Sequence, residues 1–370
     1  EQAELADKAF QRFRQMHTEE EMDSGAFASA KEELRRRLND LNNEVNRALA
    51  LRYLDAPIKE EVYRKWLDAY QPFHWFVDFY GIMNSGGFDI VIGNPPYIEY
   101  NVVRKEYQIK GFVTENCGNL YAFIIERCYD LLRNNGQMGV IVQLSSICTD
   151  RMASLQKKIR LCSSSYWISN YDDRPAKLFD GLEHIRASII LSRVFKNGVD
   201  SSDAFSTNLM RWYTEFRPIL FDTLSYNRVI GLEIEGSIPK IGNNGLKSLI
   251  IKVRDQKQVI GNVYSKSSPH IIFYYRSPLY WIRSMDFLPM FSSPSGENRS
   301  IHHFKSFNVT NEDYAKIVGA IINSSLFYLW FLVYGNGRNV ALRDIQLFPC
   351  NVVELNRNFG DQLRIVFDKL

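Results

Sequence analysis

Gly87-Phe88-Asp89-Ile90-Val91-Ile92-Gly93-Asn94-Pro95-Pro96-Tyr97-Ile98 is the segment around which this chain organises. A short apolar run between glycines reads as a buried strand of the kind found in parallel sheets. It ends at two prolines, which lock φ and carry no N–H donor. The Pro95 carbonyl is then a rigid acceptor, the Asn94 side chain a second acceptor, and Tyr97 a flat face. Two acceptors and an aromatic platform suit a planar ring that bears an exocyclic amino group. A structural Pro-Pro turn explains the same four letters equally well, so the surroundings must decide.

Upstream, residues 1 to about 53 are charged and helical in pattern. Leu34, Leu38, Leu41, Val45 and Ala48 recur at spacings of four and three, one apolar seam on a helix that packs within its own domain. Asp55-Ala56-Pro57 ends it, and an aromatic-rich helical stretch runs from Glu60 to Tyr80. Downstream, Leu120–Leu132 reads as a helix and Asn134-Asn135-Gly136 as a stop. Gln137–Leu144 reads as a strand, Met152–Leu161 as a helix, Trp167–Asn170 as a short strand and Ala187–Val194 as a clear one. Helices alternating with strands imply an α/β layer with a largely parallel sheet. After Asn197-Gly198 the segments shorten and Gly, Ser and Pro multiply, which places a boundary near Asp200.

The chain has 370 residues with 45 Lys+Arg against 42 Asp+Glu, 45% hydrophobic and 24% charged, the profile of a folded chain of about two domains. Residues 201–370 carry 19 Lys+Arg and 14 Asp+Glu, so the basic excess lies there and points toward a polyanion. Cys117, Cys128, Cys148, Cys162 and Cys350 are odd in number with no Cys-x-x-Cys spacing, which fits reduced thiols in a cytoplasmic protein rather than disulfides or structural zinc. No signal peptide is expected. Ile317–Tyr334 is apolar and long enough to span a membrane, but Asn323, Ser324 and Ser325 interrupt it, so a buried helix is the expectation. Asp255-Gln256-Lys257 and His302-His303 lack partners for a nuclease or metal site, and no metal is expected.

Further landmarks stand in order around the Asn-Pro-Pro-Tyr segment. They are Pro72-Phe73-His74-Trp75-Phe76, Gly118-Asn119-Leu120-Tyr121-Ala122-Phe123-Ile124-Ile125-Glu126-Arg127, Gly139-Val140-Ile141-Val142-Gln143, and Lys177-Leu178-Phe179-Asp180-Gly181-Leu182 before the Ser188–Leu191 strand. Together they resemble N6-adenine DNA methyltransferases with the gamma-type motif order, in the branch of fused type IIG restriction–modification enzymes. The resemblance covers residues 70 to 197 well and the C-terminal part loosely. It implies a partial Rossmann-like methyltransferase sheet, preceded by helices and followed by a mixed α+β target-recognition domain. The implied division is a helical lead-in over 1–56, part of a catalytic domain over 57–200 and a recognition domain over 201–370.

The same resemblance implies roles. Asn94 and the Pro95 carbonyl would accept hydrogen bonds from the adenine amino group, leaving its lone pair free to take the methyl of S-adenosylmethionine. Tyr97 and Phe179 would sandwich an adenine turned out of the duplex, because the amine is unreachable inside the stack. Pro96 would touch the cofactor, as would Ile124 or the neighbouring Phe123. Arg276, Arg283, Arg299, Lys305 and Arg338 would contact double-stranded DNA, with Arg338 foremost because it lies among glycines. The family's Gly-rich cofactor loop has no counterpart before Gly93, so this chain is expected to be the C-terminal portion of a longer polypeptide whose missing N-terminal part completes the cofactor site. A cleavage domain, if there is one, would lie outside it. Similar motifs serve protein-glutamine and RNA-adenine methyltransferases, and a non-catalytic DNA-binding fragment is a further alternative.

Overall fold

The computed structural model describes residues 2–17, 24–54, 57–181, 184–196, 202–289 and 303–369. Helices α1 (Gln2–His17) and α2 (Ser24–Ala50) pack together at the start. The heptad-like seam of α2 stays within the chain: Leu38, Leu41 and Val45 meet Val77 of the short helix α4 (Trp75–Asp78). Between them α3 (Glu60–Tyr70) buries Tyr63 and Trp66 against Ala50 and Tyr53. The helix expected over Glu60–Tyr80 is interrupted at Gln71, which adopts positive φ and caps α3; α4 and α5 (Tyr80–Asn84) follow.

Among the described residues one sheet holds β1 (Phe88–Gly93), β2 (Leu132–Gln143), β3 (Ser163–Tyr171), β4 (Ala187–Val194), β5 (Asp203–Met210) and β6 (Asn227–Arg228), in the order β1-β2-β4-β3-β5-β6. The α/β class is as expected, but the sheet is mixed rather than largely parallel. The β1–β2 and β3–β5 pairs are parallel, whereas β4 runs antiparallel between β2 and β3. Helices α6 (Tyr100–Val103), α7 (Leu120–Leu131) and α8 (Ala153–Cys162) join the first three strands. Gly87 shows why β1 starts where it does: at φ +118° its Cα lies against the Leu131 carbonyl, and any Cβ would collide there.

The sheet continues through the boundary expected at residue 200. Trp167 pairs with Phe205 and Phe205 with Arg228, so β5 and β6 complete the first unit. The remainder contains α9 (Asn244–Arg254), a three-stranded antiparallel sheet of β7 (His270–Tyr275), β8 (Ser284–Met285) and β9 (Phe304–Val309), and helices α10 (Glu312–Ile322), α11 (Ser325–Tyr334), α12 (Leu342–Gln346) and α13 (Val352–Lys369). The buried helix expected over Ile317–Tyr334 is two helices meeting at 70°. The Ser324 hydroxyl accepts the Phe327 N–H at 3.2 Å, which starts α11 afresh. No single helix among the described residues is long and apolar enough to cross a membrane.

The two units share one core: Val140 of β2, Ile190 of β4 and Phe331 of α11 belong to a single buried cluster. Ser237 Oγ donates to the Tyr334 carbonyl (2.6 Å), the Tyr334 hydroxyl donates to the Leu232 carbonyl (2.8 Å), and the buried Lys240 ammonium donates to the Gly335 carbonyl (2.8 Å). The end of α11 presents carbonyls with no partner inside the helix, so a cation there is favourable. Burial nevertheless pushes the Lys240 pKa down.

Candidate active site at the carboxyl edge of the sheet

The carboxyl ends of β1, β2, β3 and β5 and the amino end of β4 share one edge, where ligands of open α/β sheets bind. Asn94 follows β1 directly. Pro95 is buried, and Asn94 and Pro96 are exposed. The β1–β2 ladder ends at Gly93 opposite Val140, and the next residue of β2, Ile141, receives a hydrogen bond from the Tyr97 hydroxyl at 3.2 Å. The Tyr97 ring meets the buried Tyr121 edge-on, 6.2 Å between centroids, and burial raises its hydroxyl pKa.

The chain after the motif is fastened in several places. Leu120 N–H donates to the Ile98 carbonyl and Tyr100 N–H to the Gly118 carbonyl, each at 2.9 Å. The Arg151 guanidinium bridges Glu99 and the Cys117 and Gly118 carbonyls. The buried Glu126 of α7 accepts the N–H groups of Val113 (3.1 Å) and Thr114 (3.0 Å) and the Thr114 hydroxyl (2.7 Å). Ahead of the motif, Trp75 and Phe79 pack edge-on against Phe88, and His74 Nε2 lies 2.7 Å from the Asn46 side-chain oxygen. These contacts fix the chain on both sides of the motif.

Phe179 lies in the β3–β4 connection, over the same edge. It is 38% exposed, whereas Leu178 is buried. Arg217 holds this turn by donating to the carbonyls of Leu178 (2.9 Å) and Lys177 (2.8 Å), with its guanidinium stacked on Trp212. Phe123 faces the core, 4% exposed between Tyr100 and Phe112, while Ile124 sits on the exposed side of α7. Of the pair named for cofactor contact, only Ile124 therefore has a free surface.

In the C-terminal unit Arg276 and Lys305 are exposed, and Arg283 lies over the Tyr275 ring at 4.5 Å. Arg299 lies outside the described residues. Arg338 is exposed on its glycine loop and donates to the His184 carbonyl at 2.6 Å, reaching the β3–β4 connection. Sequence reasoning passed over Asp172, Arg186 and Arg211, which join at this edge as Arg186–Asp172–Arg211, at 2.6 and 2.8 Å. Their signal was positional: each sits one residue beyond a strand end on the ligand-binding side. No group of residues able to hold a metal ion occurs among the described residues, and their cysteines are unpaired.

Residues 21–179 match the Eco57I restriction-modification methylase family model. The match runs from the lead-in helices to Phe179 itself. A putative type II restriction enzyme and methyltransferase of Methanocaldococcus jannaschii is 34% identical over 89 residues, 24% of this chain. The aligned part spans only 8% of that relative. Among solved structures, an ATP-dependent Type ISP restriction-modification enzyme, LlaBIII, bound to DNA aligns over 51% of this chain and 14% of its own, at 13% identity and a TM-score of 0.32. A DrdV–DNA complex aligns over 43% of this chain and 19% of its own, at 10% identity and a TM-score of 0.34.

Proposed function

We propose that this chain is the catalytic-motif and target-recognition portion of a site-specific DNA adenine-N6 methyltransferase of a restriction–modification system. The observation that carries this is the Asn94-Pro95-Pro96-Tyr97 segment standing at the carboxyl end of β1, inside the stretch that matches Eco57I-type methylases. The Asn94 side-chain oxygen and the Pro95 carbonyl accept the two amino hydrogens of the target adenine. The nitrogen lone pair is drawn out of conjugation and directed along the transfer axis. No side chain needs to remove a proton first, because the amine becomes acidic only as the new C–N bond forms; the donor's S–CH3 bond would break as it does, leaving a neutral thioether, and the extra proton would pass to solvent. The rate comes from positioning and from fixed dipoles aimed at the developing positive charge. Tyr97 and Phe179 stack on the two faces of the extruded base.

S-adenosylmethionine would supply the electrophilic methyl group. The residues here fit one wall of its site: Pro96 and Ile124 are exposed apolar surfaces beside the motif. In this reading a second wall would stand beside β1. β1 is the terminal strand of the sheet, with Ile90 61% and Ile92 78% exposed. An exposed apolar face on a terminal strand, whose outer backbone edge is also unpaired among the described residues, calls for a partner. We assign that place to the N-terminal part of the same polypeptide, bringing the remaining strands and the Gly-rich cofactor loop.

The test is incubation of the intact enzyme with tritiated S-adenosylmethionine and, separately, duplex DNA, RNA and protein, followed by digestion and chromatography of the product. Label in N6-methyladenine from DNA is expected. Label in a glutamine amide, in RNA alone or in a cytosine base overturns the reading.

A further inference from the structure

Glu99 stands two residues beyond Tyr97, and both of its carboxylate oxygens are engaged. Oε1 accepts the Asn119 side-chain amide at 3.2 Å, and Oε2 accepts Arg151 Nη2 at 2.5 Å. Asn119 is also the residue whose side-chain oxygen caps α7. Arg151 donates Nε to the Cys117 carbonyl (2.5 Å) and Nη2 to the Gly118 carbonyl (3.0 Å), the same carbonyl that accepts the Tyr100 N–H. The Arg151 and Glu99 side chains are 45% and 47% exposed, so water weakens their charge attraction. What holds the chain here is the directional set of bonds from one planar guanidinium to two carbonyls and a carboxylate.

The residue before Arg151 faces the C-terminal unit. Asp150 Oδ1 pairs with Arg343 Nε of α12 at 2.9 Å, and the Arg343 side chain is only 16% exposed. The same guanidinium donates to the Glu235 and Gly236 carbonyls, so it ties the Ile234–Ser237 turn to Asp150. Gly236 makes this approach possible: it adopts φ +71°, and a Cβ there would stand 2.8 Å from Asp150 Cα. The buried Gln156 of α8 donates to the Gly236 carbonyl (3.3 Å), and the Ile238 N–H donates to the Ile147 carbonyl (2.8 Å). Contacts from the C-terminal unit therefore converge on residues 147–156, the segment that carries the Arg151 hold on the motif.

We propose that Asp150 and Arg151 are positioning residues that transmit the placement of the C-terminal unit to the Asn94–Tyr97 motif. Arg343 and the Ile234–Ser237 turn set Asp150. Asp150 and Arg151 are joined by one stiff peptide plane, so a shift of one moves the other. Arg151 sets Glu99, and Glu99 sets the chain as it leaves the motif. This role rests on the methyltransferase reading above and deepens it: the unit proposed to read the target also aligns the Asn94 and Pro95 acceptors. A small displacement suffices, since an error of about 1 Å at a reacting centre costs about 100-fold in rate.

The test compares wild type with Arg343→Ala, Arg151→Ala, the double variant and Asp150→Asn, with folding checked by thermal midpoint. Asp150 is 63% exposed, so Asp150→Asn removes the ion pair without threatening the fold. Hydrogen exchange on this chain reads the Tyr100 and Leu120 amides, which bond to the Gly118 and Ile98 carbonyls, with β4 as the internal reference. Exchange at both amides should quicken by about 2- to 30-fold in each single variant while β4 is unchanged. Single-turnover methylation by the intact enzyme should fall over the same range, with DNA affinity in filter binding retained. Arg343→Ala should add nothing once Arg151 is Ala, because its effect runs through that residue. Unchanged exchange in Arg343→Ala and Asp150→Asn overturns the proposal. So do additive losses in the double variant, or a loss confined to DNA affinity. No methylation by wild-type intact enzyme would count against the methyltransferase reading instead, and the exchange result would still decide whether the two units are coupled.

Discussion

The Tyr97 hydroxyl donates to the Ile141 carbonyl 3.2 Å away, so the ring that ends the Asn-Pro-Pro-Tyr segment is pinned to the neighbouring strand just past the last β1–β2 pair. The bond orients the ring, whose face stacks on the base in the proposed function. Tyr97→Phe should keep the face and lose the anchor, costing about 0.5–1.5 kcal/mol of stability and leaving methyl transfer by the intact enzyme within about tenfold. Tyr97→Ala should lose about 1–3 kcal/mol of base stacking, a fall of about 10- to 100-fold. Chemical denaturation and single-turnover methylation separate the two. Equal losses in both variants would show that the hydroxyl, not the face, matters.

Asn94 is exposed and contributes nothing to the core. Asn94→Ala should leave the thermal midpoint of the chain unchanged within experimental error. In the intact enzyme it should lower the methylation rate by about 100- to 1,000-fold, the loss typical of one preorganised polar group at a reacting centre, with DNA affinity retained. Filter binding and single-turnover rates read the two quantities independently.

Ile90 and Ile92 are exposed together on one face of β1, the terminal strand of the sheet. Ile90→Glu/Ile92→Lys should change the stability of this chain by no more than about 0.5 kcal/mol per site, because both residues are already in water. The same pair of changes should abolish methylation by the intact enzyme, where they would sit between paired elements. Calorimetry of this chain alone should find no micromolar binding of S-adenosylmethionine. Tight binding by the isolated chain would mean that the cofactor site is already complete.

Asp344 is buried beneath the start of α12, where its carboxylate accepts the Ala341 N–H at 2.8 Å. Burial pushes its pKa up to about 6, against the opposing pull of that N–H, Arg343 and Lys240. The folded state therefore holds the proton more tightly than the unfolded chain. Its contribution is fully present below about pH 4 and is lost as pH rises through 6, where the ionised group costs on the order of 3 kcal/mol. Asp344→Asn removes that titration. The variant should gain about this much on wild type between pH 4 and pH 7, measured by urea denaturation at each pH. A gap independent of pH would assign the proton elsewhere.

What could be read from the linear chain was local. Apolar runs and stop signals located β1, β2, β4, α7 and α8, because strands and helix faces leave their pattern in neighbouring residues, but β1, read as buried, has no buried residue because it ends the sheet. The Asn94–Tyr97 segment was legible for the same reason: it is continuous, and it sits where a strand ends. The three-dimensional structure alone decided what pairing and burial decide. It set β4 antiparallel between β2 and β3, carried β5 across residue 200 into the first sheet, and turned Phe123 inward while leaving Phe179 exposed. It also gathered Asp172, Arg186 and Arg211 from three separate strand ends into one ionic cluster facing Arg338. Register and long-range charge pairing depend on residues tens of positions apart, and no local period records them.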